Sequence, residues 1–178
     1  MNQEKFDQKE QELSLNYSNQ KIEYIKFWNI SENYFAFEEQ ETMTLNGGFE
    51  ISFESGKILS LGWNEEMMVY ENYDVKYESK FSNNESWQLS EEDNFLIENL
   101  KGKEIISISS KWTWYEDFDS NVKFIPLQII FQLPDNKNLM IATVEFKYDI
   151  INDKIHDLRF DPEGKLVITM NENYKIRG

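Results

Sequence analysis

Phe49-Glu50-Ile51-Ser52-Phe53-Glu54-Ser55-Gly56-Lys57-Ile58-Leu59-Ser60-Leu61-Gly62-Trp63 decides the fold class, because apolar and polar residues alternate on both sides of its Ser-Gly-Lys turn. Phe49, Ile51 and Phe53 share one face, while Glu50, Ser52 and Glu54 share the other. A period of two marks a strand with one buried face. Gly56 supplies the backbone freedom for a tight turn, and Leu59, Leu61 and Trp63 form the apolar face of the returning strand. The segment predicts a β-hairpin. Asn46-Gly47-Gly48 reads as a second turn, so residues 37–63 predict a three-stranded meander.

The same period continues outward. Strands are expected at 67–70 and 74–77. One main helix is expected near 90–100: Ser90 is an N-cap, Glu91, Glu92 and Asp93 load its first turn, and Gly102 follows its end. Leu96 and Leu100 stand one turn apart and give it a face to dock. Ile106, Ile108, Trp112 and Trp114 then share one parity. Leu127, Ile129 and Phe131 open a hairpin that turns at Pro134-Asp135-Asn136 and returns over 139–146. A last hairpin is expected over 158–168, turning at Asp161-Pro162-Glu163-Gly164. Ile51-Ser52-Phe53-Glu54, Ile129-Ile130-Phe131-Gln132 and Leu158-Arg159-Phe160-Asp161 precede similar turns. Two similar, sandwich-like halves would produce this repeat, and so would any set of amphipathic hairpins. The fold class is a β-rich α+β domain of antiparallel meanders over 21–178. Residues 1–20 are polar, with Phe6, Leu13, Leu15 and Tyr17 as anchors, and read as a frayed helix or a disordered arm.

Composition bounds the function. The 178 residues suit one domain, and 40% hydrophobic content is enough for a core. Thirteen Phe, nine Tyr and five Trp favour sheets. The absence of cysteine excludes disulfides, thiol catalysis and thiolate metal sites. Met1-Asn2-Gln3-Glu4-Lys5 carries no apolar signal-peptide run and no segment reaches membrane-spanning length, so a cytoplasmic location is expected. The formal charge of −15 opposes binding to nucleic acid or anionic membranes, since the 18 Lys and Arg read as scattered singly. Acidity of this degree keeps a protein soluble, or it steers a basic partner towards it.

No catalytic apparatus is legible, and neither a cofactor nor a metal site is expected. His156 is the one histidine; Asp153 and Asp157 beside it fit a general base or a metal ligand, but a solvated loop histidine fits better. Glu38-Glu39-x-Glu41, Glu65-Glu66 and Glu116-Asp117-x-Asp119 are carboxylate clusters without the facing geometry a glycosidase needs. Asp117-Phe118-Asp119-Ser120-Asn121 matches the start of a calcium loop, then fails where Val122 replaces glycine and Gln128 the closing glutamate. Trp112-Thr113-Trp114-Tyr115 is either core or an aromatic platform for sugars or proteins; its parity favours core, with Tyr115 the more exposed.

The hairpin over 50–63, the capped helix ending Leu100-Lys101-Gly102-Lys103-Glu104-Ile105, a Trp-bearing strand, an acidic loop, an L-x-I-x-F hairpin and a terminal Gly-Lys-Leu-Val-Ile strand follow in that order over 49–170. This order resembles small acidic immunity-type proteins of bacterial polymorphic toxin systems and uncharacterised proteins encoded near them. The resemblance implies inhibition by tight binding instead of catalysis, with carboxylates placed where a basic toxin domain would hold phosphates. A protein partner is therefore expected, and the acidic loop of Glu116, Asp117 and Asp119 beside Tyr115 is the expected interface. The alternative is a carbohydrate- or small-ligand-binding β-module using exposed Trp or Tyr.

Overall fold

Phe49, Ile51 and Phe53 are fully buried and face Leu59 and Leu61 across the hairpin that their alternation predicts. In the computed structural model, which describes residues 2–29, 38–39, 41–64, 69–80, 87–88 and 95–178, these strands belong to one of two antiparallel sheets. The chain opens with helix α1 (Asn2–Tyr17), followed by β1 (Ile22–Asn29), β2 (Glu38–Glu39), β3 (Thr42–Leu45), β4 (Gly48–Phe53), β5 (Ile58–Asn64) and β6 (Val69–Tyr73). Two short helices, α2 (Tyr77–Lys80) and α3 (Phe95–Leu100), flank β7 (Trp87–Gln88). Strands β8 (Ser107–Glu116), β9 (Val122–Gln132), β10 (Asn138–Asp149), β11 (Lys154–Phe160) and β12 (Lys165–Thr169) complete the fold. One sheet runs β6-β5-β4-β1-β7 and the other β2-β3-β12-β10-β9-β8, with β11 also paired to β10. Both sheets contribute to one apolar core, in which Phe27, Phe49 and Phe53 meet Phe131, Leu139 and Ile168. The β-rich α+β class expected from the sequence is the class observed.

Three local expectations are corrected. Residues 37–63 do not form one meander, because β3 pairs β12 while β4 pairs β1 and β5. Asn46-Gly47-Gly48 is a corner between sheets. A Cβ on Gly47 would lie 2.4 Å from the Trp28 carbonyl oxygen and one on Gly48 2.1 Å from that of Leu61, so backbone packs directly on backbone there. A glycine turn between alternating segments looks the same in sequence whether it closes a hairpin or changes sheets. The expected strand at 74–77 is a bend leading into α2. Ser60 Oγ donates to the Val75 carbonyl at 2.7 Å, the Tyr77 N–H donates to the Glu50 carboxylate at 2.7 Å, and the Tyr77 ring stacks on Trp28 at 4.3 Å.

The last hairpin is also different. Strands β11 and β12 do not pair with each other; both run antiparallel to β10 but on opposite sides of it, so that Val144 faces Phe160 on one side and Lys165 on the other. Asp161–Gly164 carries the chain across β10 from one side to the other, and Gly164 sits where a Cβ would come 2.4 Å from the Val144 carbonyl. Nor are the sheets two sequence halves, since β2 and β3 join the C-terminal strands.

The helix expected near 90–100 is present as α3, with Leu96, Ile97 and Leu100 buried and Gly102 at φ +78° after it. Its expected cap, Ser90 to Asp93, lies outside the described residues. The longest helix described is α1, within the segment read as an arm or frayed helix. Leu13 and Tyr17 enter the core, the Tyr17 hydroxyl donates to the Ile58 carbonyl at 2.8 Å, and Phe6 meets Phe124 edge-on at 5.9 Å. The helix also lies along β8, where the Glu10 carboxylate accepts the Ser110 N–H at 2.6 Å.

Candidate functional site

The larger sheet forks. Pairing of β9 with β10 ends at Gln128 and Ala142; beyond this point β9 stays with β8 and β10 with β11. Pro126 has no N–H to donate, and Leu127 is an extra residue between Gln128, opposite Lys111, and Pro126, opposite Trp112. A proline next to a bulge bends a strand and stops a ladder. Because β9 and β10 are antiparallel, the β8–β9 and β10–β11 hairpins leave the sheet at the same end.

The β8–β9 tip holds the residues expected to form the interface, and it divides their roles. The Asp117 carboxylate is engaged within the turn: its Oδ1 accepts the N–H groups of Asp119 at 3.0 Å and Asn121 at 2.8 Å, and the Asn121 amide at 3.2 Å. These bonds, led by that from the Asn121 backbone, hold its carboxyl below the usual range. Ser120 takes a left-handed φ of 62° to close the loop. Glu116 and Asp119 remain exposed. Phe118, between the acids, is 86% exposed.

Tyr115 is half-buried instead of free. Its hydroxyl donates to Glu71 Oε1 at 2.6 Å, while Tyr73 donates to Oε2 and the Asn64 amide to Oε1 at 3.2 Å. Burial first, then the bond to the Glu71 carboxylate, raises both tyrosine pKa values. Glu71 lies on β6, the edge of the smaller sheet, so the cluster ties the β8–β9 arm across to it. Trp112 is buried and bonds Ser110 Oγ through its ring N–H at 2.8 Å, whereas Trp114 is 44% exposed. The aromatic segment is therefore split between core and surface.

The β10–β11 tip repeats the device. Asp149 Oδ1 accepts the N–H groups of Ile151 at 2.9 Å and Asn152 at 3.2 Å, and the Asn152 amide bonds Oδ2 at 2.6 Å. That amide bond is the main cause holding the Asp149 carboxyl low. Tyr148 donates to Asp153. Ile150 and Ile151 are left 83% and 93% exposed. Sequence reasoning missed these three apolar residues. The available signal was their position inside turns that held only acids, Ser and Asn besides.

His156, read as a loop residue, sits exposed on β11 opposite Lys147. Glu65, Glu66 and the side chains of Glu38 and Glu39 lie outside the described residues. Among the described residues no cluster of three or more His, Asp or Glu has metal-binding geometry, and no helix is long and apolar enough to cross a membrane. No family model, curated protein or solved structure matches the chain.

Proposed function

We propose that the chain is a non-catalytic protein-binding module that engages a basic protein domain through its two hairpin tips. The observation that carries this reading is the display of Phe118, Ile150 and Ile151 at one end of the sheet, each within a turn of carboxylates. Residues 116–121 and 149–153 contain Glu116, Asp117, Asp119, Asp149 and Asp153 and no Lys or Arg. Large apolar side chains inside an acidic rim supply anchors that desolvate on contact, while the rim and the −15 charge steer a basic surface towards them. The hydrogen bonds at Asp117 and Asp149 hold both turns in shape, so less ordering is required on binding. The immunity-type resemblance gives this partner a concrete class, a basic toxin domain blocked inside the cell that makes the inhibitor.

The test is a comparison of the native chain with a Phe118→Ser, Ile150→Ser, Ile151→Ser variant, whose changes are confined to exposed positions. A basic protein captured from native lysate by the first should be purified and titrated against both. The reading requires affinity at least about thirtyfold weaker for the variant, the loss of one hot-spot anchor. It also requires association that slows as salt rises. Equal affinity for both chains, or capture of acidic proteins only, would remove the tips from consideration.

A further inference from the structure

The chain has two arginines, Arg159 and Arg177, and one histidine, and all three gather around β11. The C-terminal segment runs beside that strand: the Arg177 N–H donates to the Leu158 carbonyl at 2.9 Å and its carbonyl accepts the Phe160 N–H at 3.2 Å. Tyr174 and Ile176 pack on a second small core of Val144, Ile155, Leu158 and Val167. Between strand and segment lies an open groove of about 650 Å³, lined by Lys154, His156, Asp157, Tyr174, Lys175 and Arg177 with neighbouring asparagines. A volume of this order suits a small ligand.

Asp157 organises the cations. It sits at a bulge in β11 with a left-handed φ of 57°, a conformation that non-glycine residues rarely hold inside a strand. Lys147 Nζ approaches Oδ2 at 3.0 Å, Arg177 approaches Oδ1 at 3.0 Å, and Arg159 stands 3.6 Å from Oδ2. The Arg177 contact is an ion pair without hydrogen-bonding alignment, and buried Oδ1 has no hydrogen-bond partner. Asp157 thus faces three cations, Arg159 having Glu145 opposite it as well, and along the groove Lys154, Lys175 and Arg177 outnumber this one lining carboxylate. Of the other acids nearby, Asp149 is bonded by its own turn and lies opposite Lys154, and Asp153 accepts from Tyr148. A strained backbone and a lining of three cations to one carboxylate converge in one groove of a strongly acidic protein.

We infer that this groove binds a phosphate-bearing small ligand. A phosphoryl group carries up to two negative charges and accepts bonds from several donors at once, which matches a pre-held Arg177 flanked by Lys154, Lys175 and His156. The site does not depend on the hairpin-tip reading, and either can fail without the other. The experiment is calorimetric titration of the chain with inorganic pyrophosphate at fixed ionic strength, with malonate as a carboxylate comparison. Pyrophosphate should bind, Lys154→Gln/Lys175→Gln should weaken it about tenfold, and the equally charged control Lys5→Gln/Lys137→Gln should not. Absence of pyrophosphate binding, equal weakening by both double variants, or malonate binding as tightly as pyrophosphate would overturn the inference.

Discussion

Replacing Gly164 by Ala tests the crossing of β10 between β11 and β12 directly. The added Cβ would lie 2.4 Å from both the carbonyl carbon and oxygen of Val144 and 2.9 Å from the Glu145 nitrogen. An ordinary contact begins near 3.4 Å, so about 1 Å must open between two backbones, where no side chain can rotate away. Overpacking of this kind costs about 2–3 kcal/mol. Gly102→Ala is the control: its φ of +78° strains an alanine, but nothing lies within 4 Å. The left-handed penalty of about 1–2 kcal/mol is partly offset by the stiffer unfolded chain, leaving about 1 kcal/mol. Urea denaturation followed by tryptophan fluorescence should therefore place the Gly164 variant lowest. Its melting temperature should fall by roughly 6 °C against roughly 3 °C for the control. A hairpin turn at 161–164 would leave Gly164 facing solvent, and a loss below about 0.5 kcal/mol would refute the crossing.

The docking of α1 predicts that Leu13→Ala costs about 2–4 kcal/mol in the same denaturation assay while Leu15→Ala, at a position 75% exposed, costs almost nothing. Burial first, and Asp74 second, push the Tyr17 pKa from 10.0 up to about 12, and those of Tyr73 and Tyr115 are also raised. The folded chain thus retains protons that the unfolded chain loses. This stability is complete below pH 10 and disappears as pH rises towards the folded values, about 2 kcal/mol for Tyr17 after solvent screening. Phenolate absorbance and stability measured together across that range should change in step. Glu71→Gln should bring part of the phenolate titration back towards its ordinary position, and an unchanged titration would contradict the bonds drawn to Glu71. The carboxyls of Asp117 and Asp149 are held low, so their support of the tips is present above 3.8 and lost as pH falls through the folded values. Amide exchange at Asn121 and Asn152 should accelerate in that acid range before exchange in β4 and β10 does.

The strands were legible because period two survives whatever a strand pairs with. Ile51, Ile129 and Ile168 fall on the core face as their alternation requires. Pairing was less legible. Gly47, Gly48 and Gly164 read as turn glycines, yet each lies where another backbone passes too close for a Cβ, and only the assembled sheets reveal that neighbour. The segment of α1 read as a frayed helix or a disordered arm because it is polar with few apolar anchors, although Leu13 and Tyr17 suffice to seat it. At the expected interface, an acidic loop was visible but the division of labour within it was not. Asp117 looks like Asp119 in sequence, and their difference arises from which backbone N–H groups the turn brings within reach.

Pro126 links the fold to both candidate sites. Without its missing N–H and the bulge at Leu127, β9 and β10 would be free to continue their ladder, and the larger sheet would end as one edge. The fork instead produces two narrow ribbons whose tips lie beyond either layer of the sandwich, where an apolar side chain finds no core to enter. Phe118, Ile150 and Ile151 are exposed for that reason, at a cost in solvation that binding would recover. The same divergence leaves β11 paired only to β10, with its outer side open to the C-terminal segment and the cations it carries. A proline inside an alternating strand thus marks, in the sequence, where regular sheet gives way to surfaces built for contact.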